Sequence, residues 1–128
     1  MASNPIHVLR VDDDTSNLRI LSRVLRRAGF LVTTAENGLE ALDLIQEFPR
    51  RFSAVVTDHN MPVMTGLELI SELLKMPVRA RIILSSATIH ESTLALFEHR
   101  EAIQVVAKPV DTNLLVAAIS GTVAVPVS

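Results

Sequence analysis

The 128 residues carry a formal net charge of −2, no cysteine, and 48% apolar residues broken into short runs. This composition excludes disulfides and thiolate metal sites, gives no reason to expect nucleic-acid binding, which normally needs a basic face, and contains no run near the eighteen or so apolar residues of a membrane helix. No signal-peptide pattern opens the chain, so one soluble, cytoplasmic domain is expected, a chain of about 150 residues burying roughly 68–70% of its unfolded surface.

Ile6 to Val11 reads as a strand and runs straight into Asp12-Asp13-Asp14. Leu18, Leu21, Val24, Leu25 and Ala28 then recur at helical spacing, and Gly29 stands where a helix ends in a left-handed residue. Phe30 to Ala35 is a second strand, and Asn37-Gly38-Leu39-Glu40 opens a helix that Pro49 ends. Ala54-Val55-Val56-Thr57 is a buried third strand that stops at Asp58, with Pro62 and Gly66 shaping the loop that follows. Thr65 and Glu68 form a capping box for the next helix, which runs to about Lys75 and leaves Asp58 free of any capping role. Arg81 to Ser86 is a fourth strand, followed by a weaker helix through Leu94 and Phe97. Ile103 to Ala107 is a fifth, ending at Lys108-Pro109, after which Asp111 caps a last helix through Leu114, Leu115, Ala118 and Ile119. Five βα alternations define a layered α/β domain with a parallel sheet over 1–121 and a tail over 122–128.

In such a sheet, ligands bind beyond the carboxyl ends of the strands. Those ends here hold Asp12 and Asp13, Asp58, Ser86 and Lys108, whereas strand two ends in an ordinary turn at Ala35-Glu36-Asn37. Singly, each is more simply a cap, a turn former or a surface charge. Together they resist that reading, since one helix needs one cap and Asp14 supplies it. Carboxylates about 4 Å apart repel by roughly 4 kcal/mol per pair at an effective dielectric of about 20, so three clustered acids call for a cation or a raised pKa. Mg²⁺ answers that need with oxygen ligands. Lys108, one of only two lysines, suits a phosphoryl oxygen, Ser86 can donate to another, and Asp58 can attack phosphorus to form an acyl phosphate.

Asp12-Asp13, Asp58 with Met61-Pro62-x-Met64-x-Gly66, Ser86-Ala87 and Lys108-Pro109, in that order, resemble the receiver domain of two-component response regulators over about Ile6 to Ile119. The resemblance implies a (βα)5 flavodoxin-like fold, a five-stranded parallel sheet in the order 2-1-3-4-5 with helices on both faces. It implies a phosphoacceptor signalling domain rather than an enzyme: Asp58 takes phosphate from a sensor histidine kinase or phosphotransfer protein, the domain assists its own phosphorylation and dephosphorylation, and the new conformation binds a downstream protein, with a homodimer also open. Asp13 and Asp58 would bind Mg²⁺ directly, Asn60 through its backbone carbonyl and Asp12 largely through water. Ser86 and Lys108 would contact the phosphoryl group, the Lys108-Pro109 bond would be cis, and Asn60 and Thr88 would tune hydrolysis.

Two positions depart from the family pattern. Val105 stands where a switch Tyr or Phe is usual, and Arg10 lies within a central strand that is usually apolar, where it must reach a carboxylate or snorkel outward. Two other readings stay open: a small aspartyl-phosphate phosphatase or phosphotransferase, although such enzymes use Asp-x-Asp where this chain has Asn60, and a receiver-like module that is never phosphorylated. His7, His59, His90 and His99 show no paired metal spacing.

Overall fold

Runs of β-branched and aliphatic residues pair into one parallel sheet in the computed structural model, which describes residues 5–77, 80–86 and 103–121. The strands are β1 (His7–Val11), β2 (Leu31–Ala35), β3 (Ala54–Asp58), β4 (Arg81–Ser86) and β5 (Ile103–Ala107), ordered β2-β1-β3-β4-β5 as expected. The described helices are α1 (Thr15–Arg27), α2 (Gly38–Glu47), α3 (Gly66–Leu74) and α4 (Thr112–Ser120). The helix expected through Leu94 and Phe97, with Ala87, Thr88, His90 and His99, lies outside the described residues, as does the tail expected over 122–128. No helix among the described residues is long and apolar enough to cross a membrane.

Local chemistry sets the helix ends. Asp14 caps α1 by accepting from the Asn17 N–H at 3.1 Å, which leaves Asp12 and Asp13 for other work. Asn37 caps α2 through the Glu40 N–H, and Asp111 caps α4 through those of Asn113 and Leu114. At α3 the capping box closes in both directions, Glu68 N–H to Thr65 Oγ1 at 3.2 Å and Thr65 N–H to Glu68 Oε1 at 3.0 Å. Gly29, at φ +100°, takes the chain out of α1 in a conformation that few other residues adopt cheaply.

Both faces of the sheet are covered. Leu9, Val11, Val55, Ile82 and Leu84 pack with Ala41 and Ile45 of α2 and Leu69, Ile70 and Leu73 of α3. Val8, Val56, Ile83 and Val106 pack with Leu25 of α1 and Leu115, Ala118 and Ile119 of α4. Burial on two faces is why these strands read as near-continuous apolar runs rather than alternating ones. Fully burying each such side chain contributes about 1.5–3 kcal/mol, so the strands are clamped and their tips are held still. Side chains alternate between faces with a period of two, which puts Arg10 and Asp12 on the same side as Val8, facing α1 and α4.

Candidate functional site

β1 and β3 are neighbours, with Val11 paired to Thr57, so Asp12 and Asp58 leave the sheet side by side. Carboxylate oxygens of Asp12, Asp13 and Asp58 all lie within 4.8 Å of one another. Asp12 and Asp58 are buried and Asp13 is exposed, giving the cluster one open side. Lys108, the first residue past β5, extends its Nζ to an ion pair with Asp58 Oδ1. Its backbone N–H donates to the Ser86 carbonyl at 3.3 Å, joining the β5 tip to the buried Ser86 at the end of β4. The Lys108-Pro109 peptide is cis, as the resemblance implied. The structure thus gathers Asp12, Asp13, Asp58 and Lys108 with Ser86 beside them, and leaves Asn60 exposed in the loop two residues beyond Asp58.

The β3–α3 loop is shaped closely around Asp58. The Gly66 N–H donates to the His59 carbonyl at 2.9 Å, and a Cβ on Gly66 would fall 2.5 Å from the Asp58 carbonyl oxygen and 2.8 Å from Leu84 Cδ1. Only glycine lets α3 start there. Met61 is buried, while the Met64 N–H donates to the Pro62 carbonyl at 2.7 Å across Val63, whose φ of 70° is rare for a β-branched residue. Thr57, fully buried, donates from Oγ1 to the Asp58 carbonyl at 2.9 Å.

Arg10 resolves the question left by its position. The side chain is 4% exposed and reaches a carboxylate: Nη2 donates to Asp12 Oδ2 at 2.8 Å, and Nη1 to the carbonyls of Val11 at 2.9 Å and Val56 at 3.2 Å. The other Asp12 oxygen, Oδ1, accepts the Asp14 N–H at 3.0 Å. Burial lowers the Arg10 pKa against the pull of Asp12 and Asp58, yet a guanidinium stays charged at neutral pH. Burial also raises the Asp12 carboxyl, helped by the Asp58 charge and opposed by the Asp14 N–H, Arg10 and Lys108. The three clustered acids therefore meet two cations of the protein's own, Arg10 and Lys108.

Two residues at the site went unnoticed in the sequence. Ser85 pairs in register with Asp58, is buried, and has an Oγ without a hydrogen-bond partner among the described residues; its signal in the sequence is the Ser85-Ser86 doublet at the end of β4. Thr57 gave no signal, since a threonine inside a strand is ordinary. Beside the end of β2, a concave surface between α1 and the start of α2 is lined by Arg19, Arg23, Arg26, Arg27, Glu36 and Glu40.

Set against known proteins, residues 8–120 match the family described as "Response regulator receiver domain". The two-component response regulator ORR11 of Oryza sativa is 38% identical over 91 residues, 66% of this chain and 59% of that protein. A response regulator receiver protein of Anaeromyxobacter sp. (strain Fw109-5) is 37% identical over 102 residues, 80% of this chain and 42% of that protein. The chain thus spans less than two thirds of the length of these relatives. Among solved structures, the chemotaxis protein CheY4 of Vibrio cholerae superposes with a TM-score of 0.81 at 28% identity, covering 94% of this chain and all of that one.

Proposed function

The chain belongs to the response regulator receiver family, and from that premise we propose that Asp58 is its phosphoacceptor in a Mg²⁺-dependent reaction. A carboxylate oxygen of Asp58 attacks the phosphorus of a donor phosphohistidine. The P–N bond breaks, its electron pair leaves on the imidazole nitrogen, which takes up a proton, and an acyl phosphate remains on Asp58. The observation that carries this reading is the Lys108–Asp58 ion pair set within the three-acid cluster. An ammonium that already holds Asp58 is placed to follow the charge onto a phosphoryl oxygen, and Ser86, at the adjacent strand end, is the second donor.

The donor set fits a hard divalent ion: carboxylate oxygens close together, one side open, no nitrogen or sulfur among them. Asp13 and Asp58 would hold Mg²⁺ directly and Asn60 through its backbone carbonyl. Asp12 would act through water, because both its oxygens already accept hydrogen bonds from Arg10 and Asp14. When bound, the ion neutralises charge on the phosphoryl group.

Two charge-assisted hydrogen bonds of about 1.5–3 kcal/mol each reach the roughly 5.5 kcal/mol of a full 1:99 to 99:1 switch only at the top of their range. Val105, half-buried against the core shared with α2 and α3, adds no aromatic lever. Phosphorylation therefore shifts the conformation in part, and a downstream protein completes the shift. We assign 1–121 to the receiver, supported by the family match over 8–120, with a sensor histidine kinase or phosphotransfer protein upstream and a cytoplasmic setting. The domain assists its own phosphorylation and dephosphorylation and is not otherwise an enzyme.

Incubation with Mg²⁺ and a small acyl phosphate, read by intact-protein mass, tests the assignment. One added phosphoryl group is expected, released by hydroxylamine and absent from Asp58→Asn. Labelling that survives in Asp58→Asn, or none in the unsubstituted protein, overturns it.

A further inference from the structure

We propose that Arg10 is a built-in counter-ion of the acidic cluster, which holds Asp12 in place and weakens the binding of a divalent cation at the site. The inference rests on the phosphoacceptor reading above for which ion is meant, though not for its test. A charged side chain buried to 4% exposure within a central strand is costly unless it is paired and hydrogen-bonded. Here the geometry shows where the compensation lies. Asp12 follows Arg10 by two residues, just past the end of β1, so the two share a face, and the guanidinium turns toward the strand tip to meet Asp12 Oδ2 at 2.8 Å.

The same fork crosses to the next strand. Arg10 pairs in register with Val56 and donates to its carbonyl, and Asp58 lies two residues further along β3 on the same face. The guanidinium thus sits beneath both buried acids of the cluster, and each stabilises its charge. Its Nε is buried with no hydrogen-bond partner among the described residues, so the side chain is placed for the carboxylate and the two carbonyls rather than for full satisfaction of its donors.

Arg10 and Lys108 against Asp12, Asp13 and Asp58 leave one net negative charge. Removing Arg10 leaves two, beside the position a divalent ion would take. Two effects of Arg10 oppose that ion: a like charge beneath the site, and a hydrogen bond that keeps an Asp12 oxygen turned toward the sheet. Arg10 is a positioning residue, acting through Asp12 and through its charge. It also lets the acid cluster fold without metal.

The test is Mg²⁺ affinity measured by titration calorimetry on the full chain, beside thermal unfolding with and without Mg²⁺. In Arg10→Leu, affinity is expected to rise about tenfold or more, equivalent to about 1.4 kcal/mol, and the metal-free melting temperature to fall and recover with Mg²⁺. Arg10→Lys, which keeps the charge on a shorter reach, should stay within a few-fold of the unsubstituted protein. In the Asp12→Asn background, the gain from Arg10→Leu should shrink. Unchanged or weaker Mg²⁺ affinity in Arg10→Leu would mean that Arg10 only ties β1 to β3, and the proposal fails. Should Arg10→Leu not fold, Arg10→Gln carries the same expectation. All of these readouts are independent of Asp58 labelling, so loss of labelling with these shifts intact condemns the phosphoacceptor reading alone.

Discussion

The missing side chain of Gly66 is what brings α3 against the carbonyl oxygen of Asp58, since a Cβ at that position would lie 2.5 Å from it. The obstacle is backbone, which cannot swing aside as a flexible side chain would. Gly66→Ala should therefore cost about 1–3 kcal/mol, the usual range for overpacking, and slow phosphorylation by displacing Asp58. Urea unfolding and the labelling rate check this together. A stable variant that labels at the normal rate would show that the loop yields freely.

Lys108→Met removes the only cation paired with Asp58 Oδ1 among the described residues, while keeping much of the side chain's bulk. A hydrogen bond to a charged group contributes about 1.5–3 kcal/mol, and each 1.36 kcal/mol is a factor of about ten in rate. Labelling from a small acyl phosphate should slow by about tenfold or more. Initial rates followed by mass spectrometry measure it.

Val63 holds a positive φ on an exposed turn, with nothing in its side chain that favours that conformation. Such strain costs about 1–3 kcal/mol, against about 0.5–1 kcal/mol of chain entropy that glycine would forfeit on folding. Val63→Gly should stabilise the protein by about 1 kcal/mol, read as a rise of a few degrees in melting temperature. A drop would mean that the turn gains more from the side chain than the conformation costs.

Thr65→Ala deletes the oxygen that accepts the Glu68 N–H and opens the capping box. The loss should be about 0.5–2 kcal/mol by denaturant midpoint, with Thr65→Ser retaining most of it.

His7 gives a pH dependence of definite sign. Burial, then the nearby Arg51 charge, lower its pKa from 6.5, so the folded state disfavours the imidazolium. Its contribution is complete above the unfolded value of about 6.5 and is lost as pH falls through the lower folded value. Melting temperature between neutral pH and pH 5 should fall less in His7→Gln than in the unsubstituted protein.

Much of this was readable from residue order. Asp14, Asn37, Thr65 and Asp111 announce helix starts by local chemistry, and each caps as expected. The convergence of Asp12, Asp13, Asp58 and Lys108 follows from strand tips and needs only the sheet order to become a cluster. What stayed hidden depends on register between strands. His7 shows no metal spacing in the sequence, yet Nε2 lies 2.7 Å from Thr33 Oγ1 and the ring stands edge-on to Phe52. Arg10 could have turned either way; the choice was made by Val56 lying opposite and Asp12 lying two residues on. Arg26 and Arg51 each have a partner, the Val32 carbonyl and the Phe48 ring, neither of which composition reveals.

Because β1 and β3 are paired directly, the two buried acids are brought together by a backbone ladder rather than by any loop reaching across. Their chemistry is thereby insulated from the outer surfaces of the helices. Exposed positions such as Ile20, Leu39 and Leu114 can change to suit a new partner without disturbing the paired acids. A lineage of such domains could diversify its wiring while its reaction stayed the same.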